Sequence, residues 1–115
     1  MSDQSLNLLI VEPEPLIGID IERIVSEAFA CRTTLVTALA ETADAWDVVI
    51  CDCPELTVEF MDRMKRLMEQ GTSIVLVSAS EVVVRSPSPW RHIAKPFVNG
   101  DLIEAVRDTI AALRG

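Results

Sequence analysis

Basic residues are scarce in this chain: ten Lys and Arg stand against eighteen Asp and Glu among 115 residues, a net charge of -8. Binding to nucleic acid rests on Lys and Arg neutralising phosphates, so the charge balance argues against a nucleic-acid partner. The nearest thing to a basic cluster, Arg63, Lys65 and Arg66, has the spacing of a solvated helix face. Long apolar runs are missing too. None approaches the ~20 residues of a membrane-spanning helix, and Met1-Ser2-Asp3-Gln4 carries no basic residue for a secretory leader. The expectation is a soluble, cytoplasmic protein with no membrane partner. Cysteine is limited to Cys31, Cys51 and Cys53, an odd number with no C-x-x-C spacing, which excludes a zinc site and a disulfide framework. Reduced thiols are expected. No Ser/Thr/Gly-rich loop follows the first apolar run, so a flavin carrier is disfavoured.

What is present is a globular composition, with 50% hydrophobic and 24% charged residues. A chain of this length, read as one domain over 1–115, buries roughly two-thirds of its unfolded surface. Its apolar pattern alternates between strand and helix. Leu6 to Val11 is nearly all apolar, as a parallel strand buried on both faces should be. A helix is predicted over Pro15 to Phe29, with Ile17, Ile21, Ile24 and Ala28 on one face. Strands are predicted at Thr34 to Ala38, Val48 to Cys51, Ile74 to Val77 and His92 to Ala94. Phe60, Met64, Leu67 and Met68 stripe a helix that Gly71 can end in a left-handed conformation. Ile103, Val106, Ile110 and Leu113 mark the last helix, with Asn99 as N-cap. Such alternation implies a parallel sheet with helices on both faces. Two connections are thin: Leu39 to Asp47 is short for a crossover, and Ser86-Pro87-Ser88-Pro89 blocks a long helix after Ser78. The second and fourth helices are therefore expected to be short, the fourth confined to Ala79 to Arg85.

The strand ends carry the chemistry. Asp52, Ser78 and Lys95 each follow an apolar run, and the first run ends on Glu12. In an open parallel sheet these ends share one edge, where ligands bind. The four stretches Leu9-Ile10-Val11-Glu12-Pro13-Glu14-Pro15, Asp47-Val48-Val49-Ile50-Cys51-Asp52, Val75-Leu76-Val77-Ser78-Ala79 and Ala94-Lys95-Pro96-Phe97 resemble, in the same order, the receiver domain of two-component response regulators. The resemblance runs from Leu6 to Leu113. It implies a flavodoxin-like (βα)5 three-layer sandwich with strand order 2-1-3-4-5 and a cis Lys95-Pro96 bond. It also implies a role in phosphorelay signalling, as an acceptor and not as an enzyme. Asp52 would take a phosphoryl group from a histidine kinase or phosphotransferase, the Ser78 hydroxyl and Lys95 ammonium would contact it, and Glu12 with Asp52 would hold Mg²⁺. With no output domain expected, signalling would pass through protein contacts, a homodimer among them.

The chain departs from the receiver pattern at Pro13, where receivers carry a second acid, so Mg²⁺ is expected to bind weakly. The loop Cys53-Pro54-Glu55-Leu56 lacks the family's proline and glycine spacing, and His92 stands where receivers often place a switching Tyr or Phe. Plainer readings stand beside each residue. Asp52 can cap the next helix, Glu12 can be a solvated acid, Ser78 can form a turn, and Lys95 can pair with Asp52 purely structurally. His92 reads as a packed strand-end histidine. Cys51 and Cys53 read as small hydrophobes, and Trp90 as a core or lid residue. A pseudo-receiver that binds partners without phosphorylation is the alternative function.

Overall fold

The computed structural model describes residues 6–39, 45–81, 83 and 90–114, with only the backbone for 113 and 114. In chain order the elements are β1 (Leu6–Val11), α1 (Pro15–Ala28), β2 (Cys31–Val36), β3 (Val48–Asp52), α2 (Val58–Glu69), β4 (Ser73–Ser78), β5 (Arg91–Ala94) and α3 (Asn99–Arg114). The five strands form one parallel sheet in the order β2-β1-β3-β4-β5, as expected. The Lys95-Pro96 bond is cis. No helix among the described residues is long and apolar enough to cross a membrane.

Strand alternation divides the core into two layers. Leu8, Ile10, Val48, Ile50, Val75, Val77 and Ile93 face α1 and α3, where Ile21, Ile24, Val25, Leu102, Ala105 and Val106 cover them. Leu9, Val11, Val49, Cys51, Ile74 and Leu76 face the other way, against Met64 of α2 and Trp90. Both faces of the central strands are therefore dry, which is why their sequences run apolar without a polar alternate.

The ends of α2 are closed by side chain and backbone. Thr57 Oγ1 accepts the Phe60 N–H at 3.0 Å, satisfying a donor that the first helical turn leaves open. At the other end Gly71 takes φ +94° while the Gly71 and Thr72 N–H groups return to the carbonyls of Met68 and Leu67.

Three sequence expectations shift. β2 begins at Cys31 rather than Thr34, because its pairing with β1 opens at Leu6 with Cys31. As an edge strand it exposes Arg32 and Thr34 and so lacks a continuous apolar run. The buried face of α1 is Gly18, Ile21, Ile24 and Val25, with Ala28 exposed. That face can approach β2 because residue 18 has no Cβ; one built there would lie 2.7 Å from Leu35 Cδ1. Asn99 is the first residue of α3 rather than its cap, and the Asp101 and Leu102 N–H groups go to the Val98 carbonyl. Three full helices occur among the described residues, and Glu81 and Val83 are also helical, inside the stretch expected to hold a short fourth helix. Residues 82, 84 and 85 of that stretch, and 40–44 of the one expected to hold the short second helix, lie outside the described residues.

Candidate functional site

Parallel pairing brings the four strand-end residues to one edge of the sheet. Asp52 and Ser78 are the last residues of β3 and β4, while Glu12 and Lys95 directly follow β1 and β5. The backbone fixes each of them. The Glu12 N–H donates to the Val36 carbonyl at 3.0 Å and the Lys95 N–H to the Ser78 carbonyl at 2.8 Å; the Cys53 N–H, just past Asp52, donates to the Val77 carbonyl at 2.9 Å. These bonds extend the strand ladders beyond their ends.

Alternation sorts the side chains. Glu12, Asp52 and Lys95 follow the α1/α3 side of the sheet, and there Lys95 joins the other two. Its Nζ donates to Glu12 Oε1 and to Asp52 Oδ1, each at 2.7 Å. The two carboxylate oxygens are thus at most twice that distance apart. The Glu12 side chain is 2% exposed, that of Asp52 13% and that of Lys95 17%. Burial alone would lower the Lys95 pKa, but the hydrogen bonds to Asp52 and Glu12, and their charges, outweigh it and raise the value above the usual 10.5. The ammonium is firmly held.

Glu12 has a second commitment. Its Oε2 accepts the Glu14 N–H at 3.1 Å, so both oxygens are occupied and the acid is not a solvated one. Asp52 does not cap α2, since Thr57 does. Asp52 lines a cleft of about 390 Å³ together with Pro13, Thr37, Leu39, Phe60 and Arg63. Arg63 also donates from Nη1 to the Leu39 carbonyl at 2.7 Å. The spacing of the basic residues alone puts Arg63 on a solvated helix face with Lys65 and Arg66. Those two are exposed and Arg63 is half-buried. The signal lay in its spacing: Arg63 is three residues after Phe60 and four before Leu67, on the inward stripe.

The receiver resemblance implies Mg²⁺ at this donor set. This hard cation demands near-octahedral oxygen ligation. Here two carboxylates converge, both tied to Lys95, with the remaining Glu12 oxygen on a backbone N–H. Pro13 brings a pyrrolidine ring where a third acid would stand. Among the described residues no group of three or more His, Cys, Asp or Glu could hold a metal ion. The residues present do not fit a resident Mg²⁺.

Ser78 is buried at the same edge, on the α2 side by alternation, and its Oγ accepts the Ser80 N–H at 3.0 Å. The hydroxyl proton remains available to donate. His92 Nε2 accepts the Trp90 Nε1–H at 2.9 Å, and Trp90 is buried in the α2-side core. Burial lowers the His92 pKa below 6.5. The three cysteines are free. Burial pushes the Cys51 thiol up to about 12, helped by Cys53, Asp52 and Glu12, and burial also raises Cys53. Neither thiol is tuned for reactivity.

No protein-family model matches the sequence, and no curated protein matches it. Solved structures do. A response regulator receiver protein from Sinorhizobium medicae is 22% identical, with a TM-score of 0.71, covering 97% of this chain and 99% of its own. The response regulatory domain of MrkE from Klebsiella pneumoniae is 16% identical, with a TM-score of 0.72 and coverage of 95% and 98%. An orphan response regulator of H. pylori is 15% identical, with a TM-score of 0.71 and coverage of 92% and 97%. At such identities the likeness is one of fold. The chain has the fold of response-regulator receiver domains, the architecture that its four strand-end stretches imply.

Proposed function

We propose that this chain is a phosphoryl-accepting receiver, with Asp52 as the acceptor, that signals through protein contacts rather than by turnover of a substrate. The observation that carries the reading is the Lys95 ammonium 2.7 Å from the Asp52 carboxylate, at the strand-end edge and beside an open cleft. In the proposed step an Asp52 oxygen attacks the phosphorus of a phosphohistidine on a histidine kinase or phosphotransferase. The new carboxyl–phosphate bond forms as the phosphorus–nitrogen bond breaks. The electron pair stays on the ring nitrogen, which takes up a proton. Such transfer needs positioning and charge neutralisation above all. Lys95 supplies the positive charge, and the Ser78 hydroxyl supplies a donor for a phosphoryl oxygen. Output then goes to a protein partner or a twin chain.

A second reading, an interaction module that works without phosphorylation, is favoured by Pro13 and by the closed Glu12–Lys95–Asp52 arrangement. Incubation with phosphoramidate, a small donor with the same phosphorus–nitrogen bond, separates the two. Intact-mass analysis should show one added phosphoryl group on wild type and none on Asp52→Asn. Wild type that stays unlabelled by phosphoramidate and by a phosphorylated histidine phosphotransfer protein would leave the interaction module standing.

A further inference from the structure

The geometry points to a pocket that runs without a divalent metal, the Lys95 ammonium being its cation. Three observations converge on this. Lys95 Nζ sits between the two carboxylates that would be the ion's anchors, at hydrogen-bond distance from each. Glu12, nearly fully buried, has its other oxygen on the Glu14 backbone, so turning it toward an ion breaks two hydrogen bonds at once. Pro13, which lines the cleft together with Asp52, offers neither a carboxylate nor an N–H.

Charge leads the same way. Two carboxylates and one ammonium leave the cluster with a single negative charge. A dication added there would reverse its sign in a poorly solvated place. With an acid in place of Pro13 the same ion would bring the cluster to neutrality. Affinity for a hard cation tracks the number of charged ligands and the rigidity of the site, and this site is one ligand short and already filled. The ammonium is also a compact donor with three protons. Two of them are on Glu12 and Asp52, which leaves one for an incoming anionic oxygen.

The metal-free claim stands on the cluster itself; its extension to phosphoryl transfer rests on the acceptor reading above. The test therefore has two arms. In the first, Mn²⁺ is titrated as a paramagnetic probe while the amide NMR signals of Glu12 and Asp52 are followed. Wild type should keep both signals at concentrations that erase them in Pro13→Asp, whose affinity should be on the order of tenfold higher or more. Lys95→Met, which clears the ammonium from between the carboxylates, should also gain binding and serves if Pro13→Asp folds poorly. Wild-type signals lost at the same Mn²⁺ concentration as in the variants would overturn the inference. In the second arm, phosphoramidate labelling of wild type is compared in Mg²⁺ and in EDTA. Equal rates are expected, and labelling that depends on Mg²⁺ would overturn the inference. If wild type labels in neither medium, and not with a phosphorylated histidine phosphotransfer protein either, the acceptor reading falls, and the Mn²⁺ arm still decides whether the pocket holds a metal.

Discussion

Removing the Lys95 ammonium would leave two carboxylates converging with no counter-charge, one of them, Glu12, 2% exposed. Taking one partner from a buried ionic pair costs ~3–5 kcal/mol. The lower end applies here, since Lys95 and Asp52 keep some contact with solvent. Lys95→Met should therefore unfold at a clearly lower urea concentration. The sign of its pH dependence follows from the raised pKa. The stabilisation is complete below the unfolded value and is lost as pH rises through the higher folded one, so the gap between wild type and Lys95→Met should hold to about pH 10.5 and shrink above it. His92 works in the opposite direction. Its Nε2 must carry a lone pair to accept the Trp90 N–H, and its folded pKa lies below 6.5. The unfolded chain then binds the proton more readily, so wild-type stability should fall as pH drops below about 6.5. His92→Gln, which keeps an acceptor and cannot titrate, should flatten that slope in a melting-temperature series.

At the scale of elements, α2 depends on its first turn. Thr57→Ala removes the acceptor for the Phe60 N–H and should cost about 1 kcal/mol, read as a shift in the urea midpoint. The cap also borders the Asp52 cleft, so its loss would loosen that wall. Which elements exist was legible in the sequence wherever burial is complete. β1, β3 and β4 are dry on both faces and announce themselves as apolar runs. β2 was legible only in its β-branched second half, read as Thr34 to Ala38; its start was missed because an edge strand half in water alternates Cys31, Arg32, Thr33 and Thr34 and offers no apolar run there. The last helix was displaced by one residue at its start because Asn99, a good capping residue, continues the helix instead. The site followed the same logic. Glu12, Asp52, Ser78 and Lys95 were readable because strand ends in a parallel sheet share an edge. The Glu14 N–H on Glu12 and the inward turn of Arg63 were not, since the first is a backbone contact and the second depends on how far α2 rolls toward the Leu39 carbonyl.

In the molecule as a whole, the ion cluster spans three strands that are not all neighbours. β4 lies between β3 and β5 in the sheet, and Lys95 reaches from beyond β5 to acids at the ends of β3 and β1. The edge it crosses is the one where a partner would reach Asp52, so the clasp and the proposed signalling surface coincide. Lys95 is separated by 83 residues from Glu12 and by 43 from Asp52. Bringing such distant segments together carries a loop-closure cost that earlier strand pairing must first meet. The clasp is therefore expected to close after the sheet has assembled. Interactions absent from the folding transition state leave the folding rate nearly unchanged and act on unfolding. Lys95→Met should then unfold faster in stopped-flow denaturant jumps while refolding at nearly the wild-type rate, so that the Glu12–Lys95–Asp52 clasp would set how long a folded molecule lasts, and hardly at all how quickly one forms.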